Sequence, residues 1–365
     1  MDIAKIDKNF ALSGDVAALR LYFTNVLETE AELYGVFYDA ACGKFLRLPL
    51  FVAAECDAMH GYNEENLRSL AAHCAGGRLR FSTNSRYIAI KAVEEMTYMN
   101  HMPLTGSAGF SLYEDTEEGQ KYRGNLLSAE HDGAFDAYLD TGDNRMKFFT
   151  LYFPLYSSVS ALYLGLERGA ALRGGKKYSR AGKIVYYGSS ITQGACASRA
   201  GNSYEARISR KFDMDYVNLG FSGNARGELP MAKYLAGLRA DIFVCDYDYN
   251  SETPETLKET HYPLVELFRK QNPLVPVVLL SRPCCNVDAD VEERREIIFS
   301  TYEKFHGQGD ENIYFIDGGK IFDGPQKDDC TADGCHPNDL GFYRMSKSIA
   351  EVIRKIFDKR GCGKK

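Results

Sequence analysis

The chain has no tryptophan, only seven histidines in 365 residues, and no long run of one charge. Each scarcity removes something. Without Trp, a flat ligand such as a sugar ring has to stack on one of the 24 Tyr or 21 Phe. The net charge is -6 with no dense basic run, which excludes nucleic acid as an expected partner, since neutralising phosphates needs a concentrated basic face. The basic groups that do cluster, Arg173-Gly174-Gly175-Lys176-Lys177 and Lys364-Lys365, are short and read as a linker and a tail. No apolar stretch is long enough to span a bilayer, so no membrane partner is expected. The start, Met1-Asp2-Ile3-Ala4-Lys5-Ile6-Asp7-Lys8, alternates charge with aliphatics and has no secretory apolar core, which reads as a cytoplasmic location. The ten cysteines contain no Cys-x-x-Cys pair and, in a chain of this size, read as reduced thiols.

What is present has the balance of a soluble globular protein, 45% hydrophobic and 26% charged, and enough length for two domains. The two halves differ in period. Up to about residue 180, short alternating runs are separated by turn signals. Strands are expected at 86–92, 144–153 and 161–166, and a helix near 63–73. Thr141-Gly142-Asp143-Asn144 and His131-Asp132-Gly133 read as hairpin turns. This half is expected to be a β-sandwich of jelly-roll type. From Lys183 onward apolar strands (near 183–187, 215–219, 241–246, 275–281 and 312–316) alternate with amphipathic helices (near 203–212, 228–238, 254–271, 290–306 and 339–357). That alternation predicts a parallel sheet covered on both faces. The expected division is therefore a β-rich domain at 1–178 and an α/β domain at 179–365.

Right-handed crossovers put every carboxyl end of such a sheet on one edge. Four chemistry-bearing segments follow successive strands and should meet there. Lys183-Ile184-Val185-Tyr186-Tyr187 runs into Gly188-Ser189-Ser190, a strand delivering a serine hydroxyl to the start of a helix. Phe221-Ser222-Gly223-Asn224 follows the second strand, Asp248-Tyr249-Asn250 the third, and Asp333-Gly334-Cys335-His336-Pro337 the fifth. Acyl transfer needs a nucleophile, a base, a group that orients the base and donors for the oxyanion. Ser190 can attack a carbonyl, His336 can carry its proton, and Asp333 can fix the imidazole tautomer. The oxyanion set would be the Ser190 amide at the helix start, the Gly223 amide and the neutral Asn250 side chain. Simpler roles exist for each: a turn serine, a capping Asp with a surface His, a turn glycine, an Asx-turn Asn. Cys330, Cys335 and His336 also have near-zinc spacing, a competing use of His336. Arg226 and Arg282 follow strands two and four, where rim ion pairs account for them as well as substrate does. The other histidines read as structural or exposed.

Residues 183–357 resemble the SGNH (GDSL-type) hydrolases, named for the serine, glycine, asparagine and histidine of four blocks. Gly188-Ser189-Ser190-Ile191-Thr192 is similar to the first block, Ser222-Gly223 to the second, Asn250 to the third and Asp333-Gly334-Cys335-His336-Pro337 to the last. The resemblance implies a flavodoxin-like three-layer α/β/α fold, with Ser190, Asp333 and His336 as its triad. Two departures stand out: Ser189 replaces the common Asp before the nucleophile, and the third block reads Asp248-Tyr249-Asn250-Ser251. Gly109-Phe110-Ser111-Leu112-Tyr113 resembles the Gly-x-Asp-Leu-Tyr signature of a β-rich domain that precedes some SGNH esterase domains, with Ser111 in place of Asp. Relatives of that layout include carbohydrate acetylesterases. The implied function is a serine esterase, without metal or organic cofactor, acting on a small-molecule or oligosaccharide acyl ester. A lipid or thioester hydrolase on the same groups is one alternative, and a non-catalytic glycan-binding protein another. Homo-oligomerisation stays open.

Overall fold

The computed structural model describes residues 14–60, 66–128, 133–285 and 287–361. They form two compact units. The first takes the described residues up to Arg47, with Ala72–Tyr178 and Ser198–Gly201. The second takes Leu48–Ala71, Ser179–Ala197 and the described residues from Asn202 onward.

Two antiparallel sheets build the first unit. One runs Tyr22–Asn25, Ser158–Leu166, Tyr87–Glu95, Ala134–Asp140. The other runs Leu172–Gly174, Arg78–Thr83, Lys147–Tyr152, Phe110–Thr116, Gly119–Leu126, with Glu32–Tyr34 also on Arg78–Thr83. Period-two alternation turns Ile88, Ile90 and Ala92 of one sheet, and Leu79, Phe81, Leu112 and Leu151 of the other, into a shared core. Thr141–Asn144 does not close a hairpin. The strand before it pairs with Tyr87–Glu95, and the strand after it pairs with Arg78–Thr83 and Phe110–Thr116, so this turn passes the chain from one sheet to the other. Thr141 donates its N–H and hydroxyl to the Arg86 carbonyl, both at 2.8 Å, and Lys147 Nζ donates to the Thr141 carbonyl at 2.8 Å. Those bonds tie the turn to the edge it leaves. Of the expected turn at 131–133, His131 and Asp132 lie outside the described residues, as do the first residues of the helix expected at 63–73, whose described part is Asn66–Ala71. In the Gly-Phe-Ser-Leu-Tyr segment, the Ser111 hydroxyl donates to Asn125 Oδ1 at 3.0 Å, and Tyr113 OH accepts from Arg199 Nε at 3.0 Å.

The second unit holds a five-stranded parallel sheet: β1 (Arg180–Gly188), β2 (Met214–Gly220), β3 (Ile242–Asp246), β4 (Val277–Leu280) and β5 (Ile313–Ile316), in spatial order β2-β1-β3-β4-β5. This is the flavodoxin-like order. Its helices are α1 (Leu50–Met59), α2 (Asn66–Ala71), α3 (Ser190–Gln193), α4 (Tyr204–Phe212), α5 (Leu229–Gly237), α6 (Pro254–Gln271), α7 (Ala289–Gly307) and α8 (Asp339–Lys359). Adjacent residues of β1 face opposite sides of the sheet. Val185 and Tyr187 enter a core with α1, α2, α5, α6 and α7. Tyr186 packs edge-on to Tyr204 of α4, which stacks on Phe342 of α8. The result is three layers. A contiguous cut at 178/179 gives residues 48–71 to the first domain, and here the chain departs from that reading: Leu48, Val52, Ala53, Cys56, Leu67 and Ala71 are buried in the second unit's core. Their burial follows from composition, because α1 carries apolar or small residues over most of its length and needs a large core.

Candidate active site

The serine's position is built by the end of β1. Ile184 through Tyr187 are fully buried, as expected of a central parallel strand. Gly188 then has to be glycine: a Cβ there would meet Thr192 Oγ1 at 2.0 Å and the Asp246 carbonyl at 2.3 Å. Ser189 bonds back to β3, its N–H donating to the Asp246 carbonyl at 3.2 Å, while its hydroxyl accepts from Ile191 N at 3.2 Å and caps α3. The serine that stands where the family pattern has Asp is thus a helix cap. Ser190 follows as the first residue of α3, only 7% exposed.

The loop after β5 brings the other two groups. His336 Nε2 lies 2.9 Å from Ser190 Oγ, and His336 Nδ1 lies 2.8 Å from Asp333 Oδ2. Asp333 Oδ1 also accepts from the amides of Cys335 at 3.0 Å and His336 at 2.7 Å. Burial alone would raise the Asp333 carboxyl, but the bonds from the His336 ring and these amides outweigh it and hold it down at about 2. The ionised carboxylate fixes the proton on Nδ1, which leaves Nε2 as the acceptor facing the hydroxyl. The three residues singled out in sequence therefore form one unbroken hydrogen-bonded chain.

Gly223 and Asn250 sit on the loops after β2 and β3, the two strands flanking β1. Gly220 and Asp246 both register against Gly188, so these loops leave the sheet level with Ser190. Gly223 has φ +70° and open space where a Cβ would be. Its left-handed backbone is what favours glycine here. Asn250 Oδ1 accepts from Ala225 N at 3.2 Å, joining the two loops. Because that partner is an N–H, the oxygen end of the Asn250 amide is the one engaged. Nδ2 is left as the donor end, with no protein partner among the described residues.

Arg294 and Cys196, which the sequence reading did not single out, lie at this site with Asp246 and Asp248 of the third strand's end. Arg294, on α7 and 4% exposed, donates to the carbonyls of Asp248 (2.9 Å), Ser251 (3.0 Å) and Glu252 (3.4 Å), and to Asp290 Oδ2 (2.9 Å). One guanidinium thus clamps both sides of Asn250. Asp248 accepts from Arg282 N at 3.0 Å, and burial lifts its carboxyl to about 6 against the pull of Arg282 and Arg294. Asp246 is likewise pushed up by burial and then by Asp248. Cys196 is buried with φ +68°, its sulfur within 4.8 Å of a His336 ring nitrogen, and burial followed by Asp333 pushes its thiol up to about 12. A left-handed cysteine cannot be read from sequence, and the Arg294 clamp lies 44 residues from Asn250 in the chain. Cys330, Cys335 and His336 do not gather as a zinc set; Cys330 is buried with its sulfur on the Gln326 carbonyl. Arg226 pairs with Glu252 at 3.5 Å. It also helps line a cavity of about 430 Å³ with Met59, Leu229, Ser251, Pro263 and Leu264.

Residues 181–354 match the GDSL-like lipase/acylhydrolase family, and residues 21–172 match the family described as the N-terminus of SGNH-hydrolase-type esterases, GxDLY. No curated protein matches the chain. Among solved structures, a protein described as a GDSL-like lipase from Bacteroides ovatus is 28% identical, with a TM-score of 0.81 over 93% of this chain and 98% of that one. The salicylyl-acyltransferase SsfX3 of a tetracycline biosynthetic pathway shares the fold at 20% identity, TM-score 0.72, over 93% and 98%. An acetyl xylan esterase from Butyrivibrio proteoclasticus shares it at 13% identity, TM-score 0.57, over 93% and 100%. Residues 181–354 belong to the GDSL-like, SGNH-type hydrolase and esterase family, and residues 21–172 are the GxDLY domain that accompanies its esterases.

Proposed function

We propose that the protein is a serine esterase that removes small O-acyl groups, acetyl foremost, from a carbohydrate through an acyl-enzyme on Ser190. The observation that carries this is the Asp333–His336–Ser190 chain, at 2.8 and 2.9 Å, beside an Asn250 amide whose donor end is unengaged. His336 Nε2 takes the hydroxyl proton as Ser190 Oγ bonds to the ester carbon. The carbonyl oxygen becomes an oxyanion held by the Asn250 amide and the Gly223 N–H. The C–O bond to the alcohol then breaks, and His336 returns the proton to the departing oxygen. Water repeats the sequence in reverse: it loses a proton to His336, adds to the acyl carbon and expels Ser190 Oγ, which recovers that proton as the acid leaves. No metal or organic cofactor enters these steps. The carbohydrate part of the proposal draws support from fold neighbours described as family two carbohydrate esterases and an acetyl xylan esterase.

The test is hydrolysis of 4-nitrophenyl acetate and of acetylated oligosaccharides by the wild type and Ser190→Ala. The alanine variant is expected to fall by at least about a thousandfold. Equal rates would sink the proposal. One observation favours a second reading, a lipid or thioester hydrolase: the cavity beside the oxyanion loops has Met59, Leu229, Pro263 and Leu264 in its wall. Rates rising from acetyl through octanoyl esters would favour it; rates falling after acetyl would favour the first.

A further inference from the structure

Arg282 is a charged residue beside this site whose side chain the esterase steps do not use. It lies in Ser281-Arg282-Pro283 after β4, and its backbone N–H bonds Asp248, two residues before Asn250. Its guanidinium carbon sits 4.3 Å from the centre of the Tyr249 ring, the residue next to Asn250. The Tyr249 hydroxyl donates to the Pro283 carbonyl at 2.7 Å, tying that ring to the Arg282 segment, and the Arg282 charge acts on the thiol of Cys335, the residue next to His336. These neighbours put the guanidinium against the Asn250 loop, with its charge felt next to His336.

The donors of this group are underused. Among the described residues, its one side-chain ion pair is Nη1 to Asp290 Oδ2 at 3.4 Å. That same oxygen takes a shorter bond, 2.9 Å, from Arg294. Nε is buried without a hydrogen-bond partner, and Nη2 has none among the described residues. The side chain is 16% exposed, so water replaces little of what the protein withholds. A largely desolvated guanidinium over a ring, with its outer nitrogen Nη2 outside any hydrogen bond among the described residues, is matched to an anion such as a carboxylate.

We infer that Arg282 is a specificity-determining residue that binds a carboxylate on the alcohol part of the ester, so that the preferred substrates are acylated acidic sugars of the uronate kind. This rests on the reading of Ser190 as an esterase nucleophile. A purely structural role, neutralising Asp248, would affect neutral and acidic substrates alike.

The experiment compares kcat/KM of the full chain for acetylated oligogalacturonate and acetylated xylo-oligosaccharide, in the wild type, Arg282→Lys and Arg282→Gln, with acetate release as readout. A parallel pair, 4-(carboxymethyl)phenyl acetate and its methyl ester, changes the charge while leaving the departing phenol nearly the same. The wild type is expected to favour the acidic member at least tenfold, with the preference shrinking as salt rises. The acidic-to-neutral ratio should fall about tenfold in Arg282→Gln and partly in Arg282→Lys, mainly through KM for the acidic member. If the glutamine variant is unstable, galacturonate should still inhibit the wild type more strongly than galactose. An unchanged ratio between wild type and Arg282→Gln, no acidic preference in the wild type, or equal inhibition by the two sugars overturns the inference. Rates that do not depend on Ser190 strike the esterase reading instead, and this inference with it.

Discussion

Asp333 accepts one bond from the His336 ring and two from backbone amides, all within three residues of itself. That local geometry explains how an i,i+3 pair in a loop can fix the tautomer of the His336 imidazole. Asp333→Asn should keep the loop's shape while presenting an amide N–H to Nδ1 in part of the population. The expected outcome is a loss of at least about a hundredfold in kcat for aryl acetate, with KM little changed. Because the carboxyl is held at about 2, it stays ionised at every pH at which activity would normally be assayed. Gly223 is a second residue-scale case. Its φ of +70° is unfavourable for any residue with a Cβ, yet no atom obstructs one. Gly223→Ala should therefore cost roughly 1–2 kcal/mol of backbone strain and no steric clash. Urea unfolding would measure it, and a loss far beyond that range would mean the amide holds more of the loop than its conformation. Both residues were legible in the sequence by type. The turn role of the glycine was open in the sequence too; that its φ is +70° was not, since φ is fixed by the neighbouring bonds.

At the scale of elements, the site is a product of strand ends. Gly188, Gly220 and Asp246 stand level across three adjacent strands, so the loops after them leave the sheet together. Apolar runs and helix periodicity locate those strands in the sequence, because a doubly covered parallel sheet leaves little freedom in composition. What locks one loop was not legible: the Arg294 clamp joins α7 to the loop after β3, and no local pattern announces a buried guanidinium facing three carbonyls. The role argued for Arg294 is positioning, through Asn250. Arg294→Lys keeps the charge and loses the fork. It should lower kcat about tenfold or more, with a much smaller change in KM and with Ser190 still reactive toward a phosphonate. Wild-type kcat in both Arg294→Lys and Arg294→Ala would remove the clamp from the account. The turn at 141–144 shows the same limit. Its residues announce a reversal correctly, but whether a turn closes a hairpin or changes sheet depends on which strands the next segment meets.

On the scale of the whole molecule, a change of period near residue 180 marks two kinds of architecture, and two compact units are present. Residues 48–71 escape that reading because period says what an element is, while the core it joins depends on contacts more than a hundred residues away. The first unit carries its own pH signature. Glu94, 3% exposed on Tyr87–Glu95, is pushed up to about 8 by burial, with the Ser157 hydroxyl opposing only in part. A raised carboxyl pKa means the folded state holds a proton that the unfolded state has released. Stability should be greatest below about pH 4.5 as far as this group is concerned, and should fall as pH rises from there to about 8. At about 1.4 kcal/mol per unit, the effect is on the order of several kcal/mol at most. Glu94→Gln should flatten that slope, seen as a variant that gains on the wild type in melting temperature between pH 5 and pH 8. A constant difference across that range would contradict the assignment.

The central claim is that Ser190 is the acyl-bearing nucleophile. The most direct measurement is the intact mass of the protein after treatment with a serine-reactive arylphosphonate, followed by peptide mapping. The account predicts one adduct per chain, on Ser190, absent in Ser190→Ala and formed far more slowly in a His336→Ala variant. An unmodified wild-type chain, or an adduct that persists at the same rate in Ser190→Ala, would contradict it.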